Sequence, residues 1–485
     1  MTINSDPPRT AIADSLAEKS VPAAERPAGE RPGLSPWALL RRLHFYAGVF
    51  VAPFLVVAAL TGLVYTLTPQ LDRIVYGHEL RVDRVGATAL PLTEQVRAAR
   101  QAHPQGALSS VTVSDDPHAT TQVLFSTPEL TADERGSTVY VDPYTGAVRG
   151  TLTTWYGATP LKTWLDGLHR NLQLGPLGRN YSELAASWLW VIVLGGLLLW
   201  LGRKRVYRGQ RAARRRAVLP DLGARGVRRT RSWHASVGVW LVVGLVFLSA
   251  TGLTWSNYAG AHFDSALSAL HGHTPELDTG LPAASTGHHH SSSQPAADLP
   301  AGVSLDRVAA AANLSGPVTI TLPTEAGTAY AVAQNDGTWP VRFDQVAVDP
   351  TTGQVTERVR FADWPLLAKL TKLGIRAHMG ELFGVVNQVL LAALALGLLG
   401  VICWGYRMWW QRRPTRDGRR ALVGSAPPRG GWLRIPTWLL LVGVPVTVLV
   451  GWALPLLGLT LVGFLVIDVL LGAVRQPGPA TAPPR

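Results

Sequence analysis

The sequence predicts a polytopic α-helical membrane protein with four core spans, a C-terminal hairpin and two small extracytoplasmic α+β modules, arranged as an internal two-fold repeat. Three observations predict this fold. Several apolar stretches reach the roughly 20 residues that are needed to cross a bilayer. Basic residues are concentrated between some of these stretches, whereas the long polar segments between the others are near neutral. A histidine–glycine motif near the start of the first stretch recurs near the start of the third.

The repeat is clearest in segments 41–48 and 231–238, each with an arginine, a histidine three residues later and a glycine four residues after the histidine. A Thr-Gly pair follows each segment at the same distance, at 61–62 and 251–252. An imidazole inside a membrane span is costly unless something uses it. A glycine on the same helix face leaves room for a flat ligand. The candidate cofactor-binding residues at this end are His44, Gly48, His234 and Gly238.

The charge distribution is that of a membrane protein with a basic inner face. A formal net charge of +13 would suggest a nucleic-acid partner in a soluble protein. However, twelve Lys and Arg residues lie between Gly202 and Trp233, with Asp221 as the only acid there. Such an excess marks a cytoplasmic loop and favours contact with anionic lipid headgroups. We therefore expect a multi-pass protein of the cell membrane with both termini cytoplasmic, in contact with the lipid bilayer and not with nucleic acid.

Composition also sets the boundaries along the chain. Residues 1–36 are rich in Pro, Ala, Ser and charge and lack the apolar content of a folded segment. Pro445 and Pro455 favour two short spans in the last apolar stretch, with one long kinked helix as the alternative. The predicted order is a disordered cytoplasmic tail (1–36), TM helix 1 (37–67), a first extracytoplasmic module (68–182), TM helix 2 (183–201), a basic cytoplasmic loop (202–232), TM helix 3 (233–256), a His-bearing insert with the second module (257–377), TM helix 4 (378–410), a cytoplasmic loop (411–434), a TM hairpin (435–472) and a tail (473–485).

Each module is predicted to combine one helix with several strands. Residues 91–103 and 304–313 are predicted helices, and strand-like runs follow both. These runs include a Val-Asp-Pro-x-Thr-Gly string, at 141–146 and 348–353. Pro presets φ in such a turn and Gly takes its permissive position, which favours a structural role. Because the strings match, we expect two modules of one fold, each with its own small core.

A second pair of histidines is predicted at the outer side of the membrane. His169 lies in the amphipathic stretch 164–172, which we expect at the outer interface, and His378 precedes TM helix 4 in the equivalent way. Because successive spans cross the membrane in opposite directions, His44 and His234 are expected at the cytoplasmic face and His169 and His378 at the outer face. The hydroxyl groups of Thr61 and Thr251 are predicted to bond the carbonyl groups four residues earlier in their own helices.

Further histidines lie in the polar insert at 257–300. This tract is predicted to be a disordered linker, with weak transition-metal binding at an exposed surface as the alternative. The candidate ligands are His271, His273, His288, His289 and His290.

Together these motifs resemble the PepSY-associated transmembrane helix family, whose members are often described as iron-regulated membrane proteins. The resemblance rests on the histidine–glycine segments, the Asp-Pro-x-Thr-Gly turns, the Leu-His-Arg-Asn-Leu string at 168–172 and the His-Met-Gly-Glu-Leu-Phe-Gly string at 378–384. It covers most of the chain, from about residue 37 to 410, and it implies that the two modules are PepSY-like. Some members look like inner-membrane ferrisiderophore reductases that carry b-type haem on histidines, so the resemblance implies haem b and a role in iron uptake here.

The paired histidines suit the same cofactor. Two imidazoles that face each other across a gap widened by glycine fit a haem with two axial nitrogen ligands. We therefore expect two haem b groups, one on His44 with His234 and one on His169 with His378. Such a chain would pass electrons across the membrane to reduce an external ferric siderophore or another metal complex.

The chain has no nucleotide fingerprint, P-loop or flavin-binding motif, so the electron donor must be a cytoplasmic partner or a membrane quinol. Two other functions remain open. One is a non-enzymatic PepSY protein that binds a peptide or protein outside and regulates a partner. The other is a metal or siderophore permease, which is disfavoured because the spans hold few other ionisable residues and show no obvious broken-helix pair.

Overall fold

The computed structural model describes residues 36–206, 218–281, 302–413 and 437–474. The predicted tails and most of the loop at 411–434 lie outside these residues. The helices are α1 (Pro36–Phe50), α2 (Ala52–Thr66), α3 (Thr68–Val75), α4 (Gly77–Leu80), α5 (Leu92–Ala102), α6 (Pro128–Thr131), α7 (Pro160–Asn171), α8 (Gly175–Val206), α9 (Gly226–Leu253), α10 (Tyr258–Ala269), α11 (Leu305–Ala312), α12 (Leu366–His378), α13 (Val385–Gln411), α14 (Thr437–Ala453) and α15 (Pro455–Val474). The strands are β1 (Ala107–Val113), β2 (Thr121–Ser126), β3 (Arg135–Val141), β4 (Val148–Trp155), β5 (Val318–Thr321), β6 (Tyr330–Gln334), β7 (Gln345–Val348) and β8 (Val355–Val359).

Three helices, α8, α9 and α13, are each long and apolar enough to cross a membrane. The helix predicted to begin at His378 instead begins at Val385. His378 is the last residue of the separate amphipathic helix α12. The two helices are divided by a turn in which Gly380 and Gly384 adopt positive φ, a conformation that interrupts a right-handed helix. In the first half, α7 ends at a left-handed Leu172 before α8 begins, so both histidine-bearing helices end just before a long span.

The first predicted span consists of two helices, α1 and α2, which meet at Val51 with a bend of 56°. Pro53 has no N–H and therefore cannot donate to the carbonyl of Val49 four residues earlier. The hydroxyl of Tyr406 on α13 donates to that carbonyl at 2.8 Å. The first span is thus broken, although it was predicted as one helix, whereas its repeat equivalent α9 is continuous. A neighbouring helix supplies the hydrogen bond that the break removes, as is usual within a membrane.

Helices α14 and α15 form a hairpin, and the alternative of one long helix is wrong. A Cβ added to Gly458 would stand 2.8 Å from the Cα of Gly451, whereas residues seven apart in one helix are about 10 Å apart. The contacts that attach the hairpin to the other helices include an ion pair and a hydrogen bond. Arg42 on α1 forms a buried ion pair with Asp468, and the indole of Trp188 donates to the hydroxyl of Thr460 at 2.9 Å.

All eight strands form one antiparallel sheet in the order β4-β3-β2-β1-β5-β6-β7-β8. The helices and strands predicted for both modules are present, but two separate modules are not. The β1 strand pairs with β5 across the repeat, with Val111 opposite Ile320 and Thr112 opposite Thr319. If the modules were separate, β1 would be an unpaired edge strand of the first and β5 of the second. The pairing of β1 with β5 removes both exposed edges.

The two halves of the sheet also share one hydrophobic core. Helices α5 and α11 contribute to it side by side, and Val111 and Ile320 at the junction are fully buried. Asp306 of α11 accepts the backbone N–H of Leu92, the first residue of α5, at 2.8 Å. The prediction that each module has its own core is therefore wrong, because both halves contribute helix and strand residues to one core and the second half caps a helix of the first.

Part of the histidine-bearing insert is helical, whereas a linker was predicted. The carboxylate of Glu183 on α8 accepts the backbone N–H groups of Tyr258 and Ala259 at 2.9 and 3.0 Å. A carboxylate that accepts the first N–H groups of a helix stabilises its start. Glu183 itself is fully buried. Helix α10 is thereby attached to the end of a long span.

Candidate functional site

Two histidines meet where α1 and α9 approach each other. The ring centres of His44 and His234 are 6.3 Å apart, with their planes at 79°. We call these residues the sheet-distal pair because they lie at the far end of the long helices from the eight-stranded sheet. The structure thus brings together the two histidines that the repeat predicts to be partners.

Neighbouring helices hold the sheet-distal rings in matching ways. His44 donates from Nδ1 to the carbonyl of Ile192 on α8 at 3.0 Å, and His234 donates from Nδ1 to the carbonyl of Val401 on α13 at 2.9 Å. Four residues after each carbonyl is a glycine, Gly196 or Gly405. A Cβ on Gly196 would lie 3.0 Å from Cε1 of His44, and one on Gly405 would lie 3.7 Å from Cε1 of His234. With hydrogen on Nδ1, an imidazole carries its metal-binding lone pair on Nε2.

The sheet-proximal pair, His169 with His378, has the same spacing. These ring centres are also 6.3 Å apart, with their planes at 47°. Nδ1 of His169 lies 2.9 Å from the hydroxyl of Thr61, and Nδ1 of His378 lies 2.7 Å from that of Thr251.

Those two threonines also fix the tautomer of the sheet-proximal rings. Thr61 donates its hydroxyl hydrogen to Val57 and Thr251 donates to Phe247, each at 2.8 Å, which confirms the predicted bonds within their helices. A hydroxyl that has donated its only hydrogen can still accept, so Nδ1 of each histidine is the donor. Gly62 lies directly against the His169 ring, since an added Cβ would stand 3.0 Å from its Cε1.

Burial keeps the sheet-proximal imidazoles neutral. It lowers the pKa of His169 to about 4 and, with a smaller contribution from His169, lowers that of His378 to about 3. A buried imidazole loses the hydration that stabilises its charged form. Neutral imidazole is the state that ligates a metal ion.

The spacing of both pairs fits a metal bound between the rings. Bonds from a transition metal to imidazole nitrogen are about 2 Å long, and the nitrogen lies about 1.1 Å from the ring centre, so two rings on opposite sides of one metal have centres about 6.2 Å apart. The observed 6.3 Å in each pair matches that value. Among the described residues, no cluster of three or more His, Cys, Asp or Glu side chains could hold a metal ion. Each pair offers two imidazoles, which is the number of protein ligands that a haem with two axial histidines requires.

Gly48 and Gly238 each lie one helical turn after a histidine of the sheet-distal pair. A Cβ added to either glycine would meet no atom within 4 Å. A flat macrocycle between two axial ligands needs such space at its faces and edges. The residues present therefore fit a haem at this site.

The two pairs lie at opposite ends of the helices. Thr251, which holds His378, is on the same continuous helix as His234, and the path between them rises about 25 Å at about 1.5 Å per residue. The hydrocarbon layer of a bilayer is about 30 Å thick. The separation between the pairs is therefore close to the thickness of that layer.

Comparison with known proteins identifies the family. The PepSY-associated TM region matches residues 41–412. The chain belongs to this family. The match includes both histidine pairs and all eight strands of this PepSY-associated membrane protein, whereas the hairpin of α14 and α15 lies beyond it. No curated protein matches the chain at a significant level.

The insert histidines of this PepSY-associated protein are apart from the two pairs. His262 stacks on Trp452 with ring centres 4.7 Å apart, and His273 lies 2.9 Å from the hydroxyl of Ser268. His271 and His273 are both exposed. The three candidates His288, His289 and His290 lie outside the described residues.

Sequence reasoning missed a group of charges that connects the two halves. Lys162 on α7 donates to the carboxylate of Glu381 at 2.5 Å, and Arg376 on α12 forms an ion pair with the same carboxylate. Burial alone would raise the pKa of Glu381, but the two cations together lower it below its usual value. The sequence signal was present, because Arg376 and Glu381 flank His378 and Lys162 precedes His169 by two helical turns.

The Asp-Pro-x-Thr-Gly turns have the structural role that was predicted. One carboxylate oxygen of Asp142 accepts the backbone N–H groups of Tyr144 and Thr145, and Asp349 does the same for the residues that follow it. A cleft of about 690 Å³ with a mixed polar and apolar lining adjoins the first turn. Its lining includes Gln95, Asp116, Tyr144 and Asp306.

Proposed function

We propose that this membrane protein passes electrons across the bilayer with two haem b groups and reduces an external ferric siderophore or other metal complex. The observation that carries the proposal is the geometry of the two histidine pairs. Each pair has the ring spacing of two axial ligands, and every ring uses Nδ1 as a donor to a neighbouring helix. This leaves the lone pair of each ring on Nε2.

The four histidines would hold the two groups, and their partners would orient them. When bound, a haem with two imidazole ligands exchanges single electrons and has no open position for oxygen. The backbone carbonyls of Ile192 and Val401 and the hydroxyls of Thr61 and Thr251 fix the ring orientations. Hydrogen bonds of this kind also raise the basicity of the ligands. The surrounding apolar helices exclude water and ions.

Electrons would enter at the sheet-distal pair and leave at the sheet-proximal pair. The donor would be a cytoplasmic partner protein or a membrane quinol. The external metal complex would be reduced beside the sheet, where the sheet-proximal pair adjoins the extracytoplasmic domain. The separation of about 25 Å between the pairs covers most of the bilayer, as such a path requires.

Haem content tests this proposal. The purified protein, expressed with ample haem, should contain two b-type haems per chain with six-coordinate low-spin spectra. His234→Ala should remove about half of the haem and stop reduction of an external ferric complex, because one axial ligand of the sheet-distal site is lost. The measurements are pyridine haemochrome quantitation and ferric reduction in proteoliposomes.

His271→Ala is the matched control, since it removes an exposed imidazole on the same chain. It should leave both haem content and reduction unchanged. A wild-type protein that is colourless after expression with ample haem would refute the electron-transfer proposal.

The cleft beside the first Asp-Pro-Tyr-Thr-Gly turn favours a second candidate function. Its volume of about 690 Å³ and its mixed polar lining suit a small molecule or a peptide segment. A PepSY protein that binds such a ligand and regulates a partner would need no cofactor. A colourless protein with a ligand that protects this cleft from hydrogen exchange would support the binding function.

A further inference from the structure

A chain of charges joins the two halves on the sheet side of His169 and His378. Lys162 belongs to the first half, whereas Arg376 and Glu381 belong to the second. All three side chains are largely removed from solvent, with 30%, 16% and 18% of their surfaces exposed. We call these three residues the charge bridge. Burial of an ion pair costs solvation free energy, which only close and well-directed contacts offset.

The charge bridge lies beside the sheet-proximal pair. Lys162 and His169 are seven residues apart on one face of α7, about 10 Å along its axis. Arg376 precedes His378 by two residues on α12. Tyr65, one helical turn beyond Thr61 on α2, lies within electrostatic reach of Glu381 and Arg376. The bridge therefore crosses the same interface between halves as the two rings, on their sheet side, with Lys162 two turns of α7 from His169.

Positive charge exceeds negative charge around the bridge. Lys162 faces the carboxylates of Asp72 and Asp166 as well as Glu381, and Lys372 faces Arg376 and Glu381. Asp166 also lies 3.4 Å from Arg170. The described charges here are therefore four cations (Lys162, Arg170, Lys372 and Arg376) and three acids (Asp72, Asp166 and Glu381), and one further carboxylate would balance them.

We propose that Lys162 and Arg376 are the anchors for the carboxylates of the sheet-proximal haem, and that Glu381 is an internal carboxylate which competes for them. This inference rests on the proposed function. Haem b carries two propionate groups, and a carboxylate at the edge of a membrane needs a cation and hydrogen-bond donors. A haem held by His169 and His378 would lie in the interface between the halves that the charge bridge also crosses.

The test follows haem release in the His234→Ala background, where only the sheet-proximal haem remains. Lys162→Gln and Arg376→Gln should each release haem to a soluble acceptor protein about tenfold faster than the parent, because one charge-assisted bond is lost. Lys162→Arg should restore slow release. Glu381→Gln should release haem no faster than the parent, because it removes a competitor. Lys369→Gln, on α12 but bonded to the carbonyl of Ala362, is the control and should match the parent.

The change in the haem-release rate caused by Glu381→Gln distinguishes a bridge that binds haem carboxylates from one that has only a structural role. If the bridge only holds the halves together, Glu381→Gln would release haem as fast as Lys162→Gln, and the inference would be wrong. Release at the parent rate by both cation variants would also refute it, while leaving the haem proposal intact. A wild-type protein without haem would overturn both. Size-exclusion profiles identify any variant that has lost its fold, and the Lys162→Arg rescue then decides the role of the cation.

Discussion

At the scale of single residues, the hydroxyl groups of Thr61 and Thr251 orient the sheet-proximal histidines. Each hydroxyl donates within its own helix and accepts from Nδ1 of a histidine on another. Replacement by the isosteric Val leaves a buried N–H without its acceptor and frees the ring to turn. We expect Thr61→Val or Thr251→Val to lower the affinity of the sheet-proximal haem about 10- to 100-fold, the usual cost of losing such a partner. Titration of haem-depleted protein with haem measures this affinity.

Thr447 on α14 supplies the matched control, because it makes the same bond to the carbonyl four residues earlier and its side chain is exposed. Thr447→Val should leave haem affinity unchanged. If all three variants bind haem equally well, the hydroxyl groups do not orient the rings.

The four histidines can be found from sequence because their spacing repeats between the halves, whereas their partners cannot. Ile192 and Gly196 hold His44 from another helix. Their role depends on which helices are adjacent, and an apolar span carries little information about its neighbours. The same holds for the charge bridge, in which Lys162 and Glu381 are far apart in the chain and meet only after folding.

At the scale of elements, the break between α1 and α2 is coupled to a tyrosine on α13. Pro53 leaves the carbonyl of Val49 without its helical donor, and Tyr406 supplies the missing bond at 2.8 Å. We expect Tyr406→Phe to lower the free energy of unfolding by about 0.6 kcal/mol, and by about 1.7 kcal/mol at most, the range for hydrogen bonds between membrane helices. Thermal unfolding in detergent measures the change.

The control is a double-mutant cycle with Pro53→Ala, which restores an N–H to the helix. In that background the carbonyl of Val49 has a donor within its own helix, so Tyr406→Phe should change the free energy of unfolding little. Equal costs in both backgrounds would show that Tyr406 stabilises the protein in another way. Sequence predicts a span here from hydropathy, but a proline near the middle does not reveal whether a neighbour compensates for it, and the 56° bend was missed for that reason.

At the scale of the whole molecule, the sheet makes the two repeats one body. The strands were predicted individually because alternation and the turn strings are local signals. The pairing of Thr112 with Thr319, whose hydroxyls lie 3.0 Å apart, joins residues from different repeats, and no local pattern reports it. The repeat in the sequence therefore predicted the helices and strands of both halves correctly. It wrongly predicted that the two halves are separate modules.

The joined sheet sharpens the prediction of membrane topology. Ala132 follows α6 in the first half and Ala333 lies in β6 of the second, so one sheet requires both on the same side of the membrane. The twelve basic residues between Gly202 and Trp233 favour the cytoplasm for that loop and the outside for the sheet. Reporter fusions at Ala132 and Ala333 should therefore both behave as exported, and a fusion at Arg214 as cytoplasmic. Opposite sides for the two alanines would contradict the sheet itself, whereas cytoplasmic results at both would invert the orientation and place the sheet-proximal haem at the inner face.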